Sequence, residues 1–157
     1  MRRNLIELAT GMREIDGAAY SAEAVQAAAL ALAIGGDVQT ALAITRSMPK
    51  SEPVEQARTL QAIATIAGEL GETDQVQSLL QEAFAAANAI PNQDGDNDYY
   101  QRVSKVERLS EIAFVANEFG ETSLAQTALK EALTIAKTLQ PGFREDSASR
   151  QIAFDET

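Results

Sequence analysis

The chain has 157 residues, 23 acidic side chains against 13 basic ones and a formal net charge of −10. That balance disfavours phosphate backbones and anionic lipid surfaces, and Arg2-Arg3 is the only adjacent basic pair that could offset it locally. There is neither Cys nor His, which removes disulfides, imidazole bases, Ser-His-Asp triads, thiol nucleophiles and zinc sites of the Cys/His type.

From the N-terminus, Leu5, Leu8, Met12 and Ile15 recur in steps of three and four and predict a helix over about 3–15. Asp16-Gly17 interrupts it, and Ser21 is the expected N-cap of the next helix. That helix carries Val25, Ala28, Ala29 and Leu32 on one stripe and ends at Gly35-Gly36. A shorter helix with Ala41, Leu42, Ile44 and Thr45 follows and stops at Met48-Pro49. Ser51 or Glu52 then caps a helix entered through Pro53, a residue tolerated in a first turn. Its stripe is Leu60, Ile63, Ala64, Ala67 and Leu70, broken at Gly71; Val76, Leu79, Leu80, Ala83, Ala87 and Ile90 continue to Pro91. The same phrase returns with Leu109, Ile112, Ala113, Ala116 and Phe119 before Gly120. It closes with Ala125, Ala128, Leu129, Ala132, Ile135, Ala136 and Leu139, ending near Pro141-Gly142.

Three breaks therefore share one form, Gly36-Asp37, Gly71-Glu72 and Gly120-Glu121. The glycine suits the left-handed residue that ends a helix, and the acidic residue suits the start of the next. The glycines are 35 and then 49 residues apart. A longer second helix and the loop Pro91–Asp98 are expected to hold the difference, since arrays tolerate length change best in connections. The expected fold is all-α, an α-α superhelix of three hairpins at about 21–49, 52–91 and 99–140, forming one domain with an N-terminal helix and a C-terminal cap at about 144–154. No hairpin of this size buries its own apolar face, so each depends on its neighbours.

Leu60, Ile63, Ala64, Gly71-Glu72, Val76, Ala83 and Phe84, repeated as Leu109, Ile112, Ala113, Gly120-Glu121, Ala125, Ala132 and Leu133, resemble the tetratricopeptide repeat. Val25, Ala28, Ala29, Gly36-Asp37 and Ala41 follow the same order in the first unit. Generic antiparallel packing with alanine at the crossings is the competing explanation. The resemblance implies a short right-handed solenoid whose first helices line a concave groove for an extended or helical peptide. Carried over position by position, the groove residues are Gln26, Leu30 and Ile34; Arg58, Gln61, Thr65 and Glu69; and Glu107, Ser110, Phe114 and Asn117.

Other chemistry has less to stand on. Asn92-Gln93-Asp94-Gly95-Asp96-Asn97-Asp98 alternates carboxylates as a calcium loop does, but Tyr99 and Lys105 stand where the helix-loop-helix motif needs Gly and Glu. No phosphate loop, dinucleotide fingerprint or nucleophile elbow is present. The expectation is a non-enzymatic protein-interaction module without cofactor or metal, binding a protein or peptide rather than nucleic acid or membrane. A self-assembling subunit, or a piece of a longer solenoid, is the alternative, ahead of a carboxylate-based or divalent-metal enzyme. Glu7 interrupts the only short apolar run after Arg2-Arg3, so no export signal is read and the expected compartment is the cytoplasm.

Overall fold

The computed structural model describes residues 18–92 and 98–139. The expected helix at 3–15, most of the acidic loop and the expected cap at 144–154 lie outside the described residues. Among the described residues, six α-helices run in order: α1 (Ala18–Ile34), α2 (Val38–Arg46), α3 (Pro53–Glu69), α4 (Thr73–Asn88), α5 (Asp98–Glu118) and α6 (Thr122–Leu139). Among the described residues there is no strand, and no helix is long and apolar enough to cross a membrane.

The helices pair as hairpins, α1 with α2, α3 with α4 and α5 with α6. Hairpins then join through two kinds of contact. Each first helix packs on the next first helix, α1 on α3 and α3 on α5, and each second helix packs on the following first helix, α2 on α3 and α4 on α5. The second helices α2 and α4 also reach each other through long side chains. Gln39 Nε2 donates to Gln75 Oε1 at 2.9 Å, and Arg46 Nε and Nη2 donate to Glu82 at 3.0 and 2.5 Å. The hydrogen bond to Glu82, more than its charge, holds the Arg46 guanidinium above its ordinary pKa. Both side chains are partly in water, so this pair sets register more than it adds stability.

One turn builds all three hairpins. The Glu72 N–H donates to the Ala67 carbonyl at 2.8 Å and the Gly71 N–H to the Gly68 carbonyl at 3.1 Å, with Gly71 at φ +84°. This nested pair satisfies two carbonyls that the end of α3 would otherwise strand, and its left-handed residue favours glycine. Gly36-Asp37 and Gly120-Glu121 repeat the same two bonds. Asp37 also caps α2, accepting the Thr40 N–H at 3.3 Å. Glu72 makes no cap bond to backbone; its carboxylate accepts from Gln75 Nε2 at 3.0 Å instead.

The core is aliphatic and alanine-rich, running unbroken from Val25 in α1 to Ile135 in α6. Alanines such as Ala29, Ala64 and Ala116 are fully buried where helices cross, which lets the axes approach closely. Two buried hydroxyls cost little because each bonds within its own helix, Thr45 to the Ala41 carbonyl at 2.8 Å and Thr59 to the Glu55 carbonyl at 2.7 Å.

Several local expectations are corrected. Ser21 is not an N-cap, because α1 already begins at Ala18. Helix α4 ends at Asn88, before Pro91, whereas Glu52, one of the two expected caps, does occupy the N-cap of α3. Leu70 is half exposed rather than part of the stripe, because it is the C-cap residue where the backbone leaves the helix for the Gly71 turn. The longer second step has three sources, not two. The second helix lengthens from 9 to 16 residues, the first helix of the third hairpin from 17 to 21, and the connection supplies the rest.

Candidate functional site

The first helices present a cleft between α3 and α5. Gln61 and Thr65 from α3 face Ser110, Glu111, Phe114, Val115 and Glu118 from α5 around a volume of about 410 Å³. Local structure explains why these side chains, apart from the buried Val115, face outward. Leu60, Ile63 and Ala64 on α3, and Leu109, Ile112 and Ala113 on α5, turn into the core, so residues one step around each helix face outward. The Thr65 hydroxyl donates to the Gln61 carbonyl at 3.1 Å. Phe114 is 65% exposed, unusual for a large aromatic ring in a chain with few of them.

The charge on the cleft wall is fixed by Arg108. Its buried guanidinium holds Glu111 through Nη1 at 2.8 Å and Nη2 at 3.1 Å, which neutralises that carboxylate and orients it. Glu118 is exposed at the other end of the cleft. The lining is thus one aromatic ring, small polar groups and a carboxylate.

Of the sequence-based groove residues, Gln61, Thr65, Ser110 and Phe114 come together here. Asn117 instead borders a second cleft, of about 390 Å³, formed by α5 and α6 with Ala113, Phe114, Thr122, Ala125 and Leu129. Phe114 and Ser110 belong to both clefts and form the ridge between them. Leu30 is half-buried and packed against the core, while Ile34 is 70% exposed at the end of α1. Arg58, Glu69 and Glu107 are exposed and Gln26 is half-buried, and none of them borders either cleft.

Glu111, Val115 and Glu118 escaped the sequence reading. For Glu118 a signal was present: it stands two residues before Gly120, as Ile34 does before Gly36 and Glu69 before Gly71. Counting from the turn glycine selects Glu118, whereas Asn117 is one residue out of that register.

A third cleft, of about 510 Å³, lies on the other side of the array between the end of α4 and α6. Lys105 projects into it from α5. Its Nζ donates to the carbonyls of Asn88 at 2.9 Å and Ile90 at 3.2 Å, groups left without helical partners at the end of α4. Burial pushes the Lys105 ammonium below its ordinary pKa, partly opposed by the charge of Glu131. We read this contact as a bolt between hairpins, with a cation at a helix C-terminus where the dipole favours it. Lys105→Met is expected to cost about 1–3 kcal/mol in urea unfolding, because two carbonyls lose a charge-assisted donor. Folding disfavours the charged amine, so the native lysine gains stability as pH rises from its lowered folded pKa to the ordinary lysine value. The deficit of Lys105→Met should therefore widen across that alkaline window; a deficit that shrinks would mean that folding favours the charged amine.

Among the described residues, no group of three or more acidic side chains gathers as a metal site. No protein-family model matches the chain, and comparison with curated proteins and solved structures finds no significant match.

Proposed function

We propose that the chain is a tetratricopeptide-like interaction module that binds a peptide segment of another protein in the cleft between α3 and α5. The observation that carries this reading is the cleft itself. Two helices from different hairpins, 49 residues apart in the sequence, place Gln61, Thr65, Ser110 and the exposed Phe114 ring around one opening. Amide and hydroxyl groups can bond a peptide backbone, and the ring can bury against an apolar side chain. With Glu111 already paired to Arg108, Glu118 is the carboxylate left for a ligand cation. The favoured ligand is a segment with one apolar anchor and a nearby Lys or Arg, consistent with a protein of net charge −10.

The reading is tested by selecting binders from a random peptide library on the full chain and measuring their affinity for variants. Phe114→Glu is expected to weaken selected peptides by about tenfold to a hundredfold, as loss of a central aromatic anchor does. Ser78→Glu, an exposed change on α4, should leave affinity within about twofold. Binding should also weaken as salt is raised. Selected peptides whose affinity ignores Phe114→Glu would refute the cleft as the site.

A further inference from the structure

One register decides what is buried where hairpins meet, and it leaves both ends of the array open. At the α6 end, the ninth residue after the turn glycine is Thr45 in the first hairpin, Leu80 in the second and Leu129 in the third. Thr45 and Leu80, in hairpins that have a following first helix packed on them, are fully buried. Leu129, with no such helix among the described residues, is 49% exposed. Four residues further on, Phe84 packs against the core while Leu133 is 53% exposed. With Phe114 they give this side three large exposed apolar groups, and no charged side chain lines the cleft between α5 and α6.

The α1 end is open in the complementary register. Counted back from the turn glycine, the twelfth and eighth residues are Thr59 and Ile63 in α3 and Arg108 and Ile112 in α5, and all four are buried in helices that have a preceding hairpin. In α1, which no helix precedes among the described residues, these positions are Ala24 and Ala28 and both are only half-buried. The fifth residue back is buried as Val115 in α5 and exposed as Ala31 in α1. Ala24, Ala28 and Ala31 follow steps of four and three, so they share one side of the helix. The whole of α1 is apolar around its circumference, with Glu23 its one charged residue, a composition that suits a helix covered on every side.

We propose that a second copy of the chain continues the array, its α1 docking on the open α5–α6 face as a further first helix, with Ala24, Ala28 and Ala31 over Phe114, Leu129 and Leu133. Both boundaries inside the chain are built this way, a first helix laid on the hairpin before it, so the contact extends an interface that the chain already forms twice. Its own α1 cannot serve, because α1 packs on α2 and α3 and the second hairpin stands between it and the open face. Size is complementary too: large apolar groups meet alanines, as the Phe119 ring meets Gly68 within the chain. Such a contact joins two different surfaces, so it does not close as a two-fold pair does and copies add head to tail. The assignment comes from register and stands whether or not the α3–α5 cleft binds a peptide.

Because the chain has no cysteine, Ala28→Cys and Leu129→Cys each introduce a single thiol. Under mild oxidation the two variants, mixed, are expected to form a disulfide with each other at least about tenfold faster than either links to itself, since docking raises the effective concentration of the pair. Ala28→Cys mixed with Ser78→Cys, an exposed site on α4, supplies the undocked rate. Self-linking of Leu129→Cys as the fastest reaction would overturn the proposal in favour of a two-fold pair. Equal rates in every mixture would overturn it as well, giving the face to other residues of the same chain or to a different protein. A check without thiols is sedimentation of the full chain. Its mass is expected to climb past two copies as concentration approaches about 1 mM, while Leu133→Glu stays at one copy with the same helix content. A chain that remains at one copy throughout, or a Leu133→Glu variant that associates as the parent does, would overturn the proposal.

Discussion

Ile63→Ala is expected to destabilise the chain by about 2–5 kcal/mol, the cost of opening a cavity where the core is fully closed. The residue is 0% exposed, on the helix that packs against α1, α2, α4 and α5. Removing it loosens both boundaries of the array at once, and a domain stabilised by about 5–15 kcal/mol has little to spare. In a urea titration the midpoint should fall with little change in slope if the hairpins unfold together. A loss below about 1 kcal/mol would mean that α3 is not the centre of a shared core. A split transition would mean that the hairpins are coupled less tightly than their continuous core implies.

Gly68→Leu is expected to cost about 1–3 kcal/mol and to act mainly on the boundary between the second and third hairpins. A Cβ at Gly68 would overlap Cε1 and Cζ of Phe119, so the ring must leave its seat. On an isolated helix the same change should stabilise by about 1 kcal/mol, since glycine is a poor helix former, so the sign of the effect is diagnostic. Combining it with Phe119→Ala should recover part of the loss, and a double-mutant cycle reads that coupling directly. Strict additivity would contradict the contact. Amide exchange should quicken in α5 and α6 more than in α1 and α2.

The sequence carried the architecture in its turns. A glycine followed by an acidic residue, set between stripes of small and aliphatic side chains, is enough to locate all three hairpins, because the turn needs a left-handed residue and the stripes need a core. Where the reading failed, the cause was tertiary. Leu129 and Leu80 occupy the same place in their units and have the same side chain, and among the described residues only Leu80 has a following first helix packed on its hairpin. Ser21 reads as an N-cap from its neighbours alone, yet α1 begins three residues earlier. Lys105 looks like a failed calcium-loop position in the sequence, and its work as a donor to the end of α4 depends on a hairpin packing that no local pattern encodes. The cleft was half legible. Outward positions followed from the stripes, but which of them face a partner helix depends on how α3 and α5 lie together, which separates Gln61, Thr65, Ser110 and Phe114 from Arg58, Glu69 and Glu107.

The most direct test of the central claim, that the first helices form the binding face, is an amide and methyl NMR titration of the full chain with a library-selected peptide. The account expects shifts concentrated on Gln61, Thr65, Ser110, Phe114 and Glu118, with the outward faces of α2 and α4, including Gln39 and Ser78, unmoved. Shifts centred on α2 and α4, with the α3–α5 cleft silent, would contradict it.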